Sequence, residues 1–481
     1  MNYERITNIF YALMETLLLI LCLIIVLSFE FVNGMNDTAN AIAPVIYSHS
    51  LNPKKSVFIA ATLNFLWVLL GGTTVAMSIL HLLPLWLIAD QTTSFWVVLV
   101  LSILISAIIW DLGAWYLALP VSSSHALIGS ILGVSIIVTH SSVWQNFTPH
   151  WWKAEEVIMW LLISPIIGFT FAFFLIYLAH VLLKKKEYFK APFWSWDKPN
   201  LTMRSVLIAA SGLVSFMHGK NDWQKGVWIA TLIIITLLPA SFAINPQFEL
   251  HTISEQVNSL SVKVEQVKSD SLSKHDAQIV QKIKSDIVEL QQRINNSQID
   301  KLGIRKNLLS IRENYSNFEF LNQKWVISEA NAQASTVNNA NLISIKNEID
   351  NLSGATDYVP WWIILLVSIS IGSGTMIGWK RIVETIGEKI GRYRMNYSQA
   401  ASSALITAGT IWLASGYGLP VSTTHVMSSS VAGTMVEEHG WKNGIDPHMI
   451  RHIVLAWVLT MPVTIVLAAT LFSILKFLFV K

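Results

Sequence analysis

Long apolar runs joined by short polar stretches set the pattern of this chain. A bilayer core takes about 20 apolar residues per helix. On that measure candidate spans fall near 9–47, 57–83, 95–118, 120–140 and 156–183, and again near 205–243, 359–379, 399–418, 420–436 and 450–480. The expected fold class is an all-α polytopic membrane protein. One stretch departs from the pattern. Residues 245–357 are rich in Ser, Asn, Gln and Lys, and Ile279, Val280, Ile283, Ile287, Val288 and Leu290 recur there at helical spacing. This predicts a solvated helical insertion, with nothing in it that suggests catalysis or a metal.

Polar positions inside the apolar runs carry the sharper signal. Glu30, Asn33, Gly34, Asn36, Asp37 and Asn40 sit in the first run, and His218, Gly219, Asn221, Asp222, Gln224 and Lys225 in the sixth. Each places a Gly, then an Asn-Asp pair, then further polar groups where a spanning helix is normally apolar. Ionisable residues at such depth are costly and default to a functional reading. A second pair follows the same logic: Pro120-Val121-Ser122-Ser123-Ser124-His125 and Pro420-Val421-Ser422-Thr423-Thr424-His425. Both motifs occur in the same order twice, so the chain is an internal duplication. Its expected parts are a first repeat (1–183), a basic cytoplasmic linker (184–204), the start of a second repeat (205–244), the polar helical extracytoplasmic insertion (245–357) and the rest of the second repeat (358–481). The two motifs lie further apart in the second copy, by close to the length of the insertion.

Composition agrees. The chain of 481 residues is 53% hydrophobic and 13% charged, against roughly 25% charged in soluble proteins. The net charge of +3 is small and scattered, which argues against nucleic acid. A lone cysteine, Cys22, leaves no disulfide and no cysteine metal site. The apolar N-terminal run leads straight into the Asn-Asp motif and reads as a span, not a signal peptide. Lys54, Lys55, Lys184, Lys185, Lys186, Lys190, Lys198, Arg204, Lys380, Arg381, Lys389, Arg392, Arg394 and Lys442 share one side if both termini are extracytoplasmic. With five spans per half, the second half enters upside down. That is an inverted-topology repeat of ten to twelve spans with broken helices at the midplane.

The motifs suit ion chemistry. Gly34 and Gly219 allow either helix unwinding or a close backbone approach. Unwound carbonyls, Asn36, Asn221, Asp37 and Asp222 would make a hard oxygen cage for Na⁺. Alternatively the carboxylates bind and release a proton, with Glu30 joining the coupling. The bland reading is helix glue, and finding two copies weakens it. Pro before a hydroxyl run opens a new helix whose N-terminus favours an anion. Ser122, Ser123, Ser124, Ser422, Thr423 and Thr424 would then surround a tetrahedral oxyanion such as phosphate or sulfate, where the bland reading is ordinary N-capping. His125 and His425 are proton carriers or orient the hydroxyls. Asn33, Asn40, Gln224 and Lys225 fall in the same supporting class; Gln224 and Lys225 could also complement an anion, with snorkelling as the alternative for Lys225. Ser–His adjacency suggests a hydrolase, but duplication of every element argues against an asymmetric catalytic site. Asp111 stands in an apolar run without an assigned role, and Gly129-x-x-x-Gly133 reads as helix packing.

Taken together, the two Gly-x-Asn-Asp motifs with Pro-Val-Ser-Ser-Ser-His and Pro-Val-Ser-Thr-Thr-His resemble the inorganic phosphate transporter (Pit) family, and within it the bacterial low-affinity permeases. Gly374 to Trp379 and Ser428 to Thr434 fit that branch. The likeness spans both apolar halves and leaves out 245–357. It implies secondary active phosphate uptake across a bacterial inner membrane, driven by H⁺ or Na⁺, with no cofactor and no permanently held metal. It also implies Mg²⁺ or another divalent metal carried along with phosphate. Asp37 and Asp222 with Asn36 and Asn221 would handle the cation and contact the anion, and the hydroxyls would donate to phosphate. A homodimer is compatible with this reading. Lys220 and Trp223 depart from the small residues expected in the second motif. A sulfate permease, a passive channel and a non-transporting sensor are the rival readings.

Overall fold

Helix follows helix through the computed structural model, which describes residues 2–70, 92–139, 151–183, 186–193, 197–267, 274–296, 300–328, 335–417, 419 and 421–480. Residues 71–83 of the second expected span, Lys184 and Lys185 of the basic linker, and Pro420 lie outside the described residues. The first half contributes α1 (Asn2–Tyr47), α2 (Pro53–Leu70), α3 (Thr93–Tyr116), α4 (Ser123–Thr139) and α5 (Trp151–Leu182). The second half opens with α6 (Leu201–Leu237). After α7 (Leu250–Glu265), α8 (Lys274–Ile294), α9 (Lys301–Ser328) and α10 (Ser335–Thr356) it resumes as α11 (Trp361–Met376), α12 (Tyr397–Gly416), α13 (Thr423–Gly444) and α14 (Pro447–Phe479). Among the described residues there is no strand, only an isolated bridge between Gly391 and Ile445. Helical stretches at Thr16–Tyr47, Thr93–Tyr116, Ile158–Leu182, Leu201–Leu237 and Pro447–Phe479 are long and apolar enough to cross a bilayer. The shorter α4 and α13 are buried along most of their length by other helices.

The chain divides into two compact units. One comprises Met1–Leu83, Val97–Thr231 and Trp361–Lys481; the other comprises Pro84–Trp96 and Leu232–Pro360. In the first unit the two halves complete each other. Helix α4 of the first half packs on α14 of the second, where Gly133 meets the Ile465 backbone. Reciprocally, α13 packs on α5, where Gly433 meets the Phe169 backbone. Likewise α1 lies against α11, and α6 meets α2 through an edge contact of Trp67 with Phe216 at 4.1 Å. Small residues at these crossings let backbones approach, which is how helices associate where burial from water offers no drive.

Helix breaks fall at the Pro-Val-Ser motifs and not at the Asn-Asp motifs. α1 and α6 run unbroken through Asn36-Asp37 and Asn221-Asp222. The unwinding that Gly34 and Gly219 permit is therefore not used. Gly34 serves close approach instead: a side chain there would collide with the Ile371 carbonyl of α11. The interruption before α4 has a local cause. Ala118 adopts φ 55, the N–H groups of Ala118 and Leu119 close back on Trp115 and Ala114, and Pro120 cannot continue a helix. The Ser122 and Ser422 side chains then cap α4 and α13 by accepting from the His125 N–H (3.4 Å) and the His425 N–H (3.2 Å).

The second unit is built on an amphipathic core. Ile253, Val257, Leu260 and Val264 form one stripe, and Val280, Ile283, Ile287 and Leu290 another. Val288, which the periodicity also picked out, faces outward and is 52% exposed. Buried Arg305 donates to the Ala243 carbonyl (3.1 Å) and the Thr356 carbonyl (2.7 Å), while the Asn245 N–H donates to Ala355 O (2.9 Å). Entry and exit of the stretch are thus tied together. Burial draws the Arg305 guanidinium down from its ordinary value to about 10, so it stays charged at neutral pH.

Candidate functional site

The unbroken α1 places Glu30, Asn33, Asp37 and Asn40 along one face at helical spacing, and α6 does the same with His218, Asp222 and Lys225. The N-termini of α4 and α13 bring Ser122–Ser124 and Ser422–Thr424 to the same region. Every one of these side chains is buried.

Contacts resolve into two mirrored triads. In the first, Thr424 Oγ1 donates to Asp37 Oδ1 at 2.7 Å, while Asn40 Nδ2 donates to Asp37 Oδ1 at 3.1 Å and to Thr424 Oγ1 at 2.9 Å. In the second, Lys225 Nζ donates to Asp222 Oδ1 at 2.7 Å and to Ser124 Oγ. Asn40 and Lys225 both stand three residues after their aspartate, and Thr424 and Ser124 both stand directly before a histidine. Each hydroxyl cluster therefore meets the Asn-Asp motif of the opposite half. Lys225 is not a snorkelling side chain. Lys220, the cation that departs from the expected pattern, turns elsewhere, with Nζ 5.8 Å from the Trp67 ring centre.

Between the triads lies His218. Its Nδ1 is 3.7 Å from both Asp37 Oδ2 and Asp222 Oδ2, and the three donor atoms lie within 4.8 Å of one another. Sequence reasoning left His218 without a role. Its spacing of four residues from Asp222, on the same face of α6, was the signal available. Asn221 Nδ2 donates to Asp222 Oδ1 (2.7 Å) and to Val421 O (3.3 Å), whereas Asn36 Nδ2 reaches Asp111 O (3.4 Å). His125 and His425 stack on each other at 4.4 Å, and Trp457 stacks on His425 at 4.0 Å while its Nε1 donates to Pro120 O (2.8 Å). The two imidazoles thus join the halves beneath the hydroxyl clusters. Gln224 is buried too, but helical spacing sets it on a different face of α6 from Asp222.

Two further carboxyls are buried here. Glu30 lies beside the Asn33 side chain and the Gly226 N–H of α6, so close that a side chain at Gly226 would overlap it. Asp111 of α3 lies beside the Ser123 hydroxyl and within electrostatic range of Lys225 and Asp222. None of these side-chain groups closes a hydrogen bond of good geometry. Buried polar groups are normally satisfied, and such loosely held donors and acceptors suit a site that exchanges ions. A separate cavity of about 300 Å³ near Phe169, Ile453 and Trp457 is lined almost wholly by apolar groups and takes no part in this cluster.

Comparison with known proteins agrees with the fold and the motifs. The phosphate transporter family profile matches residues 33–468. A low-affinity inorganic phosphate transporter of Buchnera aphidicola from Acyrthosiphon pisum is 37% identical, covering 96% of this chain and 98% of the relative. One from Escherichia coli K12 is 35% identical over 95% and 96%. Among solved structures, a sodium-dependent phosphate transporter superposes with TM-score 0.53 at 18% identity, covering 96% of this chain and 99% of that one, which shows the shared fold. On the family profile and the near full-length relatives, this chain belongs to the phosphate transporter family.

Proposed function

We propose that the protein imports inorganic phosphate across a bacterial inner membrane by symport with a cation, H⁺ in the first instance. The observation that carries this reading is the pair of mirrored triads, which join the carboxylate of each half to the hydroxyl-bearing helix N-terminus of the other, Asp37 directly and Asp222 through Lys225. Helix N-termini and hydroxyls favour an oxyanion, but a carboxylate beside that anion repels it. A cation on the carboxylate removes the repulsion, so anion and cation bind together or not at all. Rocking of the two halves about this site would then expose it to either side. H⁺ is favoured over Na⁺ because α1 and α6 are unbroken at the Asn-Asp pairs. Their backbone carbonyls stay in helical hydrogen bonds and offer no cage, whereas Glu30 and Asp111 are buried carboxyls beside the site that could hold protons.

The divalent metal travelling with phosphate would be cargo, and the Asp37–His218–Asp222 donor set is where it would pass. Both termini and residues 245–357 are placed outside the cell. Radiolabelled phosphate uptake into proteoliposomes, under an inward proton gradient, an inward sodium gradient or none, each with and without Mg²⁺, tests the proposal. Proton-driven accumulation is expected. Sodium-only accumulation would overturn the H⁺ assignment, gradient-independent flux would indicate a channel, and saturable binding without flux a sensor. Sulfate inhibiting at equimolar levels would shift the substrate.

A further inference from the structure

The two triads are equal in geometry but not in charge. Position three after the aspartate is a neutral amide in α1, Asn40, and an ammonium in α6, Lys225. Both side chains donate to the aspartate Oδ1 and to the hydroxyl of the opposite half. Lys225 is 3% exposed, and its Nζ lies 2.7 Å from Asp222 Oδ1. An ammonium is itself a cation of the kind a coupling site would hold, here tethered by a four-carbon stem.

We propose that Lys225 is a built-in cation that permanently fills the second of two equivalent coupling positions, leaving Asp37 alone to take a mobile one. The inference rests on the symport reading above. Asp222, in direct contact with the ammonium, needs no ion from solution to coexist with phosphate, whereas Asp37, hydrogen-bonded by neutral Asn40 and Thr424 with His218 and the Asp222 carboxyl beside it and Lys225 acting only at longer range, does. The transporter therefore couples one fewer cation to each phosphate than a site with two amides would. Glu30 from α1, Asp111 from α3 and His218 from α6 also face this region and are unchanged in the variants below, so differences between variants report the ammonium.

The test is the number of coupling cations per phosphate, read from the slope of logarithmic steady-state accumulation against the imposed gradient of whichever cation drives the wild type. Lys225→Asn is expected to raise that number by one, and Lys225→Arg to leave it unchanged. Asn40→Lys, which places a cation in both triads, is expected to give phosphate flux that no longer follows the gradient. An unchanged number in Lys225→Asn overturns the proposal. Should Lys225→Asn be inactive, phosphate binding to the purified variant decides. A steeper cation dependence of binding supports the tethered cation, and loss of binding at every cation concentration makes Lys225 a phosphate ligand instead. A wild type without gradient-driven uptake would sink the symport reading itself, an outcome separate from all of these.

Discussion

The first and second Asn-Asp motifs are copies in position and opposites in electrostatics. In α1 the aspartate is held by an amide and a hydroxyl, both neutral. In α6 it is held by an amide and an ammonium. A hydrogen bond from a neutral group leaves the carboxylate charge in place, while an adjacent ammonium cancels it. Duplication thus supplied two matching frames, and one substitution, Asn40 against Lys225, separates their roles. The extra acids sharpen this asymmetry, since the positions equivalent by motif spacing to Glu30 and Asp111 are Ser215 and Ile411.

The largest contrast is expected from neutralising the aspartates. Asp222→Asn strands the Lys225 ammonium, and a buried charge that loses its partner costs about 3–5 kcal/mol. Folded protein in the membrane should fall sharply, and Asp222→Asn with Lys225→Met should restore the folded amount without restoring uptake. Asp37→Asn strands no fixed charge and should insert normally while abolishing uptake. Fluorescence-detected size exclusion beside phosphate uptake measures both, and normal uptake by Asp37→Asn would remove its coupling role.

A smaller difference is expected at the hydroxyls. Thr424→Val leaves Asp37 without its shortest hydrogen bond, a loss of about 1–3 kcal/mol, read as a phosphate KM about five- to 150-fold higher. Ser124→Ala should change KM only a few-fold, because Lys225 still satisfies Asp222. Equal effects would mean the triads are not distinct. The smallest contrast concerns packing. Gly34→Ala drives a methyl into the Ile371 backbone, and overpacking of that kind costs about 1–3 kcal/mol. At Gly219 the nearest atom to an added methyl is Asn64 O at 3.0 Å, so Gly219→Ala should lower the thermal midpoint less.

Much of this arrangement is legible in the residues. Apolar run length announces the helices, and the repeated Asn-Asp and Pro-Val-Ser motifs announce a duplicated candidate site. Gly34 was ambiguous, because a glycine permits both unwinding and close approach, and only the position of Ile371 decides between them. Ser122 and Ser422 are helix caps as well as candidate ligands, a double use that follows from where each helix begins. His218 stood among the polar positions without a role, since its four-residue spacing from Asp222 does not reveal that Asp37 of the other half faces it as well. Lys225 was read as either snorkelling or complementing an anion, and its partners chose a third role.

By itself, then, the sequence determined the helical membrane architecture, the duplication, the polar insertion and the chemical inventory of the site. These are properties of local periodicity and composition, which need no knowledge of partners. Tertiary structure alone decided the crossing of the halves, Thr424 onto Asp37 and Ser124 onto Lys225, which in turn holds Asp222. It also decided that His218 stands between the two carboxylates and that the helices pass unbroken through them. Those facts depend on which distant segments meet, and a pairing between residues hundreds of positions apart leaves no trace in the periodicity of either segment.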